Sequence, residues 1–171
     1  EFGVRLSYAL QNEAGGIAQA LSLAEDFADD GKIAVILGDN LFEDDLTDAI
    51  KIFEKQHGAK VFLKEVSDPE RFGVAVVDGD KVVEIVEKPK KPKTNFAQTG
   101  LYLYDADVFK KIKILKPSAR GELEITDVSN LYLKEGTLTF EMVRGHWSDM
   151  GTSFDSLFKA AEWIRKKRGQ K

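Results

Sequence analysis

Apolar and polar residues follow two periods along this chain, two and about 3.6, and the change between them separates strands from helices. From Val4 to Gln11 every second position is apolar (Val4, Leu6, Tyr8, Leu10), which predicts a strand with one covered face. Asn12 to Gly16 has loop composition. Ile17, Leu21, Ala24 and Phe27 then fall at helical spacing, predicting a helix over Ile17–Ala28. Lys32–Leu37 is a short continuous apolar run, typical of a strand buried on both faces. A second helix is predicted over Leu46–His57, with Leu46, Ile50 and Phe53 on its stripe and Gly58 as terminator, followed by a strand over Lys60–Val66. Phe72–Val77 and Lys81–Glu87 flank Asp78-Gly79-Asp80, a strong hairpin signal. A Pro- and Lys-rich loop, Lys88 to Lys93, leads to a strand over Ala97–Tyr104 and a helix over Ala106–Lys111. The rest reads as a helix over Glu124–Lys134, a strand over Leu138–Val143 and a terminal helix over Phe154–Lys167. In that last helix Phe154, Leu157, Phe158, Ala161 and Ile164 are expected to face inward, before a basic tail running to Lys171.

Strands alternating with helices predict an α/β fold with a mainly parallel sheet, and the hairpin makes that sheet mixed. With 171 residues, 43% of them hydrophobic, and no internal repeat or dividing linker, residues 1–171 are expected to form one domain. The charge of -4 argues against a general nucleic-acid binder, which needs an excess of Lys and Arg to neutralise phosphates. The absence of cysteine removes thiolate nucleophiles and sulfur-based zinc sites, and two histidines, His57 and His146, do not make a histidine-rich metal centre. No apolar run approaches the roughly 20 residues of a membrane span, and no signal peptide is recognisable. The expectation is a soluble, cytoplasmic protein with no membrane partner.

Five segments could carry chemistry. In Leu37-Gly38-Asp39-Asn40 a carboxylate follows a buried strand, at the sheet edge where α/β proteins bind ligands, and Asp is a usual oxygen donor to Mg²⁺ beside phosphates. The same residues also suit a plain turn in which Asp39 bonds its own backbone. In His146 to Thr152, Asp149 again sits between a strand and a helix. Thr152 could cap that helix and Trp147 could be core. Lys88, in Glu87-Lys88-Pro89, is expected to be held extended by the following proline as a point charge for phosphate, whereas Lys90, Lys91 and Lys93 read as solvated surface. Arg120, in Pro117 to Glu124, is a candidate phosphate fork, and Glu122 and Glu124 fit the first turn of a helix. Gln11, ahead of Gly15-Gly16, offers a donor and an acceptor side by side, matching the imide edge of uracil or thymine, although Gly-Gly is also ordinary loop composition.

Taken in order, these segments resemble the sugar-1-phosphate nucleotidylyltransferases, and within them the thymidylyltransferase branch. The resemblance is carried by Tyr8 to Gln11, Gly16 to Ala20, Leu37 to Asn40, Asp68 to Val74, Glu87 to Pro89, Thr99 to Tyr102, Ser118 to Asp127 (SARGELEITD) and Trp147 to Thr152. It implies a Rossmann-like nucleotidyltransferase fold and transfer of a nucleotidyl group from dTTP, or UTP, to glucose 1-phosphate with release of pyrophosphate. Mg²⁺ is the implied cofactor, and the active form is implied to be a homo-oligomer. Position by position, Asp39 and Asp149 correspond to Mg²⁺ ligands, and Gln11 and Gly16 to base readers with Ile17 packed beside them. Lys88 and Arg120 correspond to ligands of the sugar phosphate. Glu87 corresponds to the acceptor of sugar hydroxyls, Gly73, Gln98 and Tyr102 to walls of the sugar site, and Trp147 to a support beside it.

Phe72 departs from the family's frequent Tyr at this place and lacks its hydroxyl. Ser148 and Met150 depart from the commoner Leu and Thr around the second aspartate. The family's glycine-rich G-x-G-x-R-L opening, which wraps the triphosphate, does not occur in these 171 residues. It is expected to precede Glu1, with the domain truncated at its N-terminal side. Two other readings stay open: a non-catalytic module that binds sugar phosphate or nucleotide-sugar, and a uridylyltransferase, since uracil and thymine share the imide edge.

Overall fold

The computed structural model describes residues 3–169. Helices α1 (Ile17–Ser22) and α2 (Glu25–Ala28) lead to strand β1 (Ile33–Ile36), the short β2 (Asn40–Phe42) and α3 (Thr47–Phe53). Then come β3 (Ala59–Glu65), a 3₁₀ turn at Pro69–Arg71, the hairpin β4 (Gly73–Asp78) and β5 (Lys81–Glu87), and the long β6 (Phe96–Tyr104). The chain continues through α4 (Asp107–Lys113), α5 (Ile125–Lys134), β7 (Leu138–Met142), β8 (Trp147–Asp149) and α6 (Phe154–Arg168).

The main sheet runs β5-β4-β6-β3-β7, and β1 joins it along β6. It is mixed, as expected, but its balance differs from the expectation. Only β3 and β7 pair in parallel among the described residues, and the other pairings in the sheet are antiparallel. The reason is β6, which runs against β1 and β3 and lies between them (Val35 and Val61 both face Tyr102). Strands joined through helices still run in one direction, but β6 and the hairpin turn the neighbouring ladders antiparallel. The hairpin closes on the Asp78–Lys81 pair around Gly79-Asp80, with Gly79 at φ +59, the left-handed conformation that such a turn requires.

Side-chain alternation along β6 builds a core on each face. Tyr102 and Tyr104 enter the larger cluster with Val61, Leu63, Val108, Ile112, Val128 and Tyr132, covered by α1, α4 and α5. Leu101 and Leu103 enter the smaller one with Ala49, Phe53, Phe62 and Val143, covered by α3. These buried apolar side chains supply the main drive for folding, about 1.5–3 kcal/mol each relative to exposure.

Four predicted elements differ. Residues 4–11 form no strand, and Val4, Leu6, Tyr8 and Leu10 are exposed, because no neighbouring strand among the described residues pairs with them. β1 is half-buried on one face only, and Ile36 is exposed on the other. The helix predicted over Ile17–Ala28 is interrupted at Leu23–Ala24: Ala18 and Leu21 are buried while Leu23 and Phe27 face outward. Finally, α6 buries Ala160 and turns Phe154, Leu157 and Phe158 outward, since the layer their spacing calls for is absent among the described residues. The N-cap of α6 is Ser153, in a reciprocal capping box with Ser156, and not Thr152. The last two residues of the expected basic tail lie outside the described residues.

Candidate active site

Two polypeptide stretches more than a hundred residues apart meet in a two-stranded antiparallel ribbon. β2 pairs with β8 so that Asn40 faces Asp149, Leu41 faces Ser148 and Phe42 faces Trp147. A further bond from the Met150 N–H to the Asp39 carbonyl, 2.8 Å, extends the ribbon past its end. The pairing brings Asp39 and Asp149 to the same rim. Behind them Gly151 packs so closely that a Cβ on it would stand 2.2 Å from Asp39 Oδ2. Its N–H donates to Asp149 Oδ1 at 3.0 Å. Burial pushes the Asp149 carboxyl above its ordinary range despite that bond, and the negative charge of Asp39 adds to the rise, while Arg71 and Lys88 oppose it. The aspartates therefore share one partly desolvated space as like charges.

That rim opens on a cleft of about 230 Å³. Of the sequence-predicted residues, Ile17, Asp39, Gly73, Glu87, Lys88, Gln98, Tyr102, Arg120, Trp147 and Asp149 all line it. β6 supplies the floor, where Gln98, Gly100 and Tyr102 alternate toward the cleft. Burial pushes the Tyr102 phenol well above its ordinary range, and the nearby carboxylates of Glu87, Asp39 and Asp149 add to this, so it stays neutral. Gln98 is buried, at 5% exposure, and its Oε1 has no hydrogen-bond partner among the described residues.

The hairpin supplies the next wall, Gly73 on β4 facing Glu87 on β5. Glu87 Oε2 accepts from Thr126 Oγ1 at 2.5 Å. Lys88 follows, and here the structure corrects the sequence reading. Its φ is +41, in the left-handed region and not extended, and its N–H donates to the Phe72 carbonyl at 2.9 Å. That bond fixes the turn against the preference of a residue before proline, so strain of about 1–3 kcal/mol is held at this position. The side chain is exposed and stands close enough to Asp149 and Glu124 to lower both carboxyls electrostatically.

Arg120 reaches the cleft but its fork is engaged. Nε and Nη2 grip Glu124 at 3.1 and 2.7 Å, and Nη2 also meets Glu122 at 3.2 Å and Glu87 at 3.5 Å. Burial pushes Glu124 up, but the bonds from Arg120 and Ser118 outweigh it and hold the carboxyl below its ordinary range. Three carboxylates around one guanidinium leave it oriented toward the cleft wall beside Lys88.

Trp147 stands edge-on to Phe72, with ring centroids 5.3 Å apart, and donates its Nε1–H to Asn40 Oδ1 at 2.8 Å. Gln11 and Gly16 do not line the cleft. The Gln11 amide bonds the Gly16 carbonyl at 3.3 Å and Gln19 Oε1 at 2.6 Å. Gly16 has φ +98, and a Cβ there would strike the Leu123 carbonyl at 2.5 Å, so this turn is locked to the segment that carries Arg120. The two histidines lie away from the cleft: His57 is exposed, and His146 stacks on Trp163 at 4.4 Å with its Nε2 on Ser148 Oγ.

Sequence reasoning missed Asn40, Arg71, Thr126 and Glu124 as members of the site. Arg71 lies over the Phe72 ring, 5.4 Å from its centroid, and is tied to Asp68. Asn40 stood beside a named aspartate, and Glu124 lay in a named segment with helical charge as a sufficient explanation. Thr126 lay in the quoted SARGELEITD string, but as an inward-facing helix position it had nothing of its own to single it out.

A family model described as nucleotidyl transferase matches residues 1–167. The chain is 45% identical over 170 residues to a glucose-1-phosphate thymidylyltransferase of Neisseria gonorrhoeae, covering 96% of this chain and 59% of that protein. It is 44% identical over 169 residues to the protein of that name from Mycolicibacterium smegmatis, covering 96% and 58%. Among solved structures, one described as a glucose-1-phosphate thymidylyltransferase from Bacillus anthracis, in complex with a sucrose, aligns with TM-score 0.89 and 55% identity over 96% of this chain and 67% of that one. A UDP-glucose pyrophosphorylase complexed with UDP-glucose aligns with TM-score 0.85 and 25% identity, over 94% and 66%. The chain thus spans about three-fifths of the length of the curated relatives it matches.

Proposed function

Because this chain belongs to the nucleotidyl transferase family, we propose that its cleft serves transfer of a thymidylyl group from dTTP to glucose 1-phosphate, giving dTDP-glucose and pyrophosphate. A phosphate oxygen of the sugar phosphate attacks the α-phosphorus in line; a new P–O bond forms as the bond to the pyrophosphate breaks. The attacking oxygen is already anionic, so no general base is needed, and both histidines lie outside the cleft. What the site has to supply is position and positive charge.

The observation that carries this reading is the gathering of two aspartates, Lys88, Arg71 and Arg120 against a wall of Glu87, Gly73, Gln98 and Tyr102. Asp39 and Asp149 suit a Mg²⁺ ion: they are hard oxygen donors on one rim, and burial, with the charge of Asp39 adding to it, makes the ionised Asp149 carboxylate costly there, a cost that a divalent cation relieves. When bound, the ion would neutralise charge on the reacting phosphates. Lys88 is assigned to hold the sugar phosphate as a point charge, supported by its position on the cleft near Asp149. Arg120 adds field at the same wall and positions Glu87, whose remaining lone pairs accept from sugar hydroxyls. Gln11 and Gly16 are assigned to the base through the family resemblance, supported by the tie between their turn and the Arg120 segment. A cytoplasmic location fits the substrates proposed, and no helix among the described residues is long and apolar enough to cross a membrane. A homo-oligomer belongs to the same reading, and the outward Phe154, Leu157 and Phe158 support it.

The test is pyrophosphate release by the purified chain with dTTP, glucose 1-phosphate and Mg²⁺. Release that falls steeply, to a small but measurable residue, in Asp39→Asn is expected. Binding of glucose 1-phosphate without any release would leave a non-catalytic binding module instead. UTP is the second nucleotide to test, because the aligned UDP-glucose pyrophosphorylase shares this fold and Gln11 reads an edge common to both bases. Preference for UTP over dTTP in competition would replace thymidylyl by uridylyl transfer.

A further inference from the structure

Asn40 has one acceptor group and one donor group on its side chain, and both are committed. Its Oδ1 accepts from the Gly100 backbone N–H at 2.9 Å and from the Trp147 indole Nε1–H at 2.8 Å. Both partners are donors only, so the amide oxygen must face them and the amide nitrogen must face the opposite way. There, Nδ2 donates to Asp39 Oδ1 at 2.9 Å. The amide is also wedged in place, because a Cβ on Gly100 would come within 2.6 Å of it. Asp39 is thereby held by one oxygen only. Its Oδ2 accepts no hydrogen bond among the described residues and lies beside Gly151 on the rim shared with Asp149.

We propose that Asn40 is a positioning residue: through Nδ2 it fixes the rotation of the Asp39 carboxylate and leaves Oδ2 aimed for a divalent cation. Through Oδ1 it ties that orientation to Trp147, the aromatic packed edge-on to Phe72 in the cleft. The inference rests on the reading of Asp39 as a cation ligand. An isolated aspartate at this place would rotate freely about its last torsion; here two N–H groups, one fixed in β6 and one in an indole, set the amide, and the amide sets the carboxylate. A partner that orients a ligand typically accounts for 10–100-fold in metal affinity.

The experiment measures the dissociation constant of Mn²⁺ alone by water-proton relaxation, on the wild-type chain, Asn40→Ala, Trp147→Phe and Asp39→Asn, with thermal melts on each. We expect Asn40→Ala to bind Mn²⁺ about 10-fold more weakly or worse while still folded. Trp147→Phe removes one of the two N–H groups that set the amide and leaves Asn40 in place, so a smaller weakening is expected. Should Asn40→Ala fail to fold, Trp147→Phe decides: weaker Mn²⁺ binding supports the positioning role and unchanged binding overturns it. Wild-type affinity in a folded Asn40→Ala overturns the inference but leaves the cation reading standing. Equal Mn²⁺ binding by wild type and Asp39→Asn, or no saturable binding at all, overturns the cation reading and the inference with it.

Discussion

Replacing Gly151 by alanine asks how firmly Asp39 is held. The new Cβ would lie 2.2 Å from Asp39 Oδ2 and 3.0 Å from its Cγ, far inside contact distance. Gly151 is not among the positive-φ residues, so the backbone accepts alanine and the effect is steric alone. The carboxylate has to move by about 1 Å, a displacement that costs roughly 100-fold in rate when the group must meet its partner in a defined geometry. That is about 2.7 kcal/mol of activation free energy. The fold should lose little, because the displaced atoms are the end of a half-buried side chain, and the melting temperature is expected to stay within a few degrees. The assay is kcat/KM for pyrophosphate release from dTTP and glucose 1-phosphate. If the loss acts through Asp39, Gly151→Ala adds little once Asp39 is already Asn, and the double variant matches Asp39→Asn alone. A wild-type rate in Gly151→Ala, or full additivity in the double variant, refutes the argument.

Three further outcomes are expected. Asp149→Asn raises the melting temperature at neutral pH, because burial and Asp39 hold the native carboxyl above its unfolded value of 3.8 and its ionisation costs stability. Melts at decreasing pH should show that advantage shrinking as the wild-type carboxyl takes up its proton, and an advantage independent of pH contradicts this. Arg120→Ala leaves the buried Glu124 without its main partner, so urea unfolding should show a loss of about 1–3 kcal/mol, largely recovered when Glu124 is also replaced by Gln. At the left-handed Lys88, Gly should be more stable than Ala by about 1 kcal/mol in the same measurement, the reverse of the usual order; equal stability would mean that the position holds no strain.

Part of the cleft was legible from periodicity, which marks where strands end, whereas Gly73, Glu87, Gln98, Tyr102 and Trp147 were reached through the family resemblance. Asp39 follows an apolar run and Asp149 lies between a predicted strand and the terminal helix, so the ends of elements located both before any contact was known. What could not be read was how separated segments share hydrogen bonds. Lys88 precedes proline, and the local rule predicts extended backbone; a bond across the hairpin base to the Phe72 carbonyl overrides it. Arg120 reads as a free fork in sequence, yet Glu124, four residues on in the loop that leads into α5, occupies it. Phe154, Leu157 and Phe158 carry helical spacing whatever covers them, so their outward placement is a tertiary fact. The alternation over residues 4–11 fails for the same reason, since a strand is stable only beside another.

The β2–β8 ribbon has a consequence for biosynthesis. Asn40 and Trp147 are 107 positions apart, and their bond can form only once both have been made. At typical rates of about 5–20 residues per second, the ribosome finishes Asp39 roughly 5–20 seconds before its counterpart exists. Throughout that interval Phe42 has no β8 strand to pair with, while the hairpin and β6, both made before β8, can already fold. The centre is therefore completed in one late step, by the closing of a long loop, and a nascent chain halted before Asp149 would carry most of the sugar wall without a cation pair.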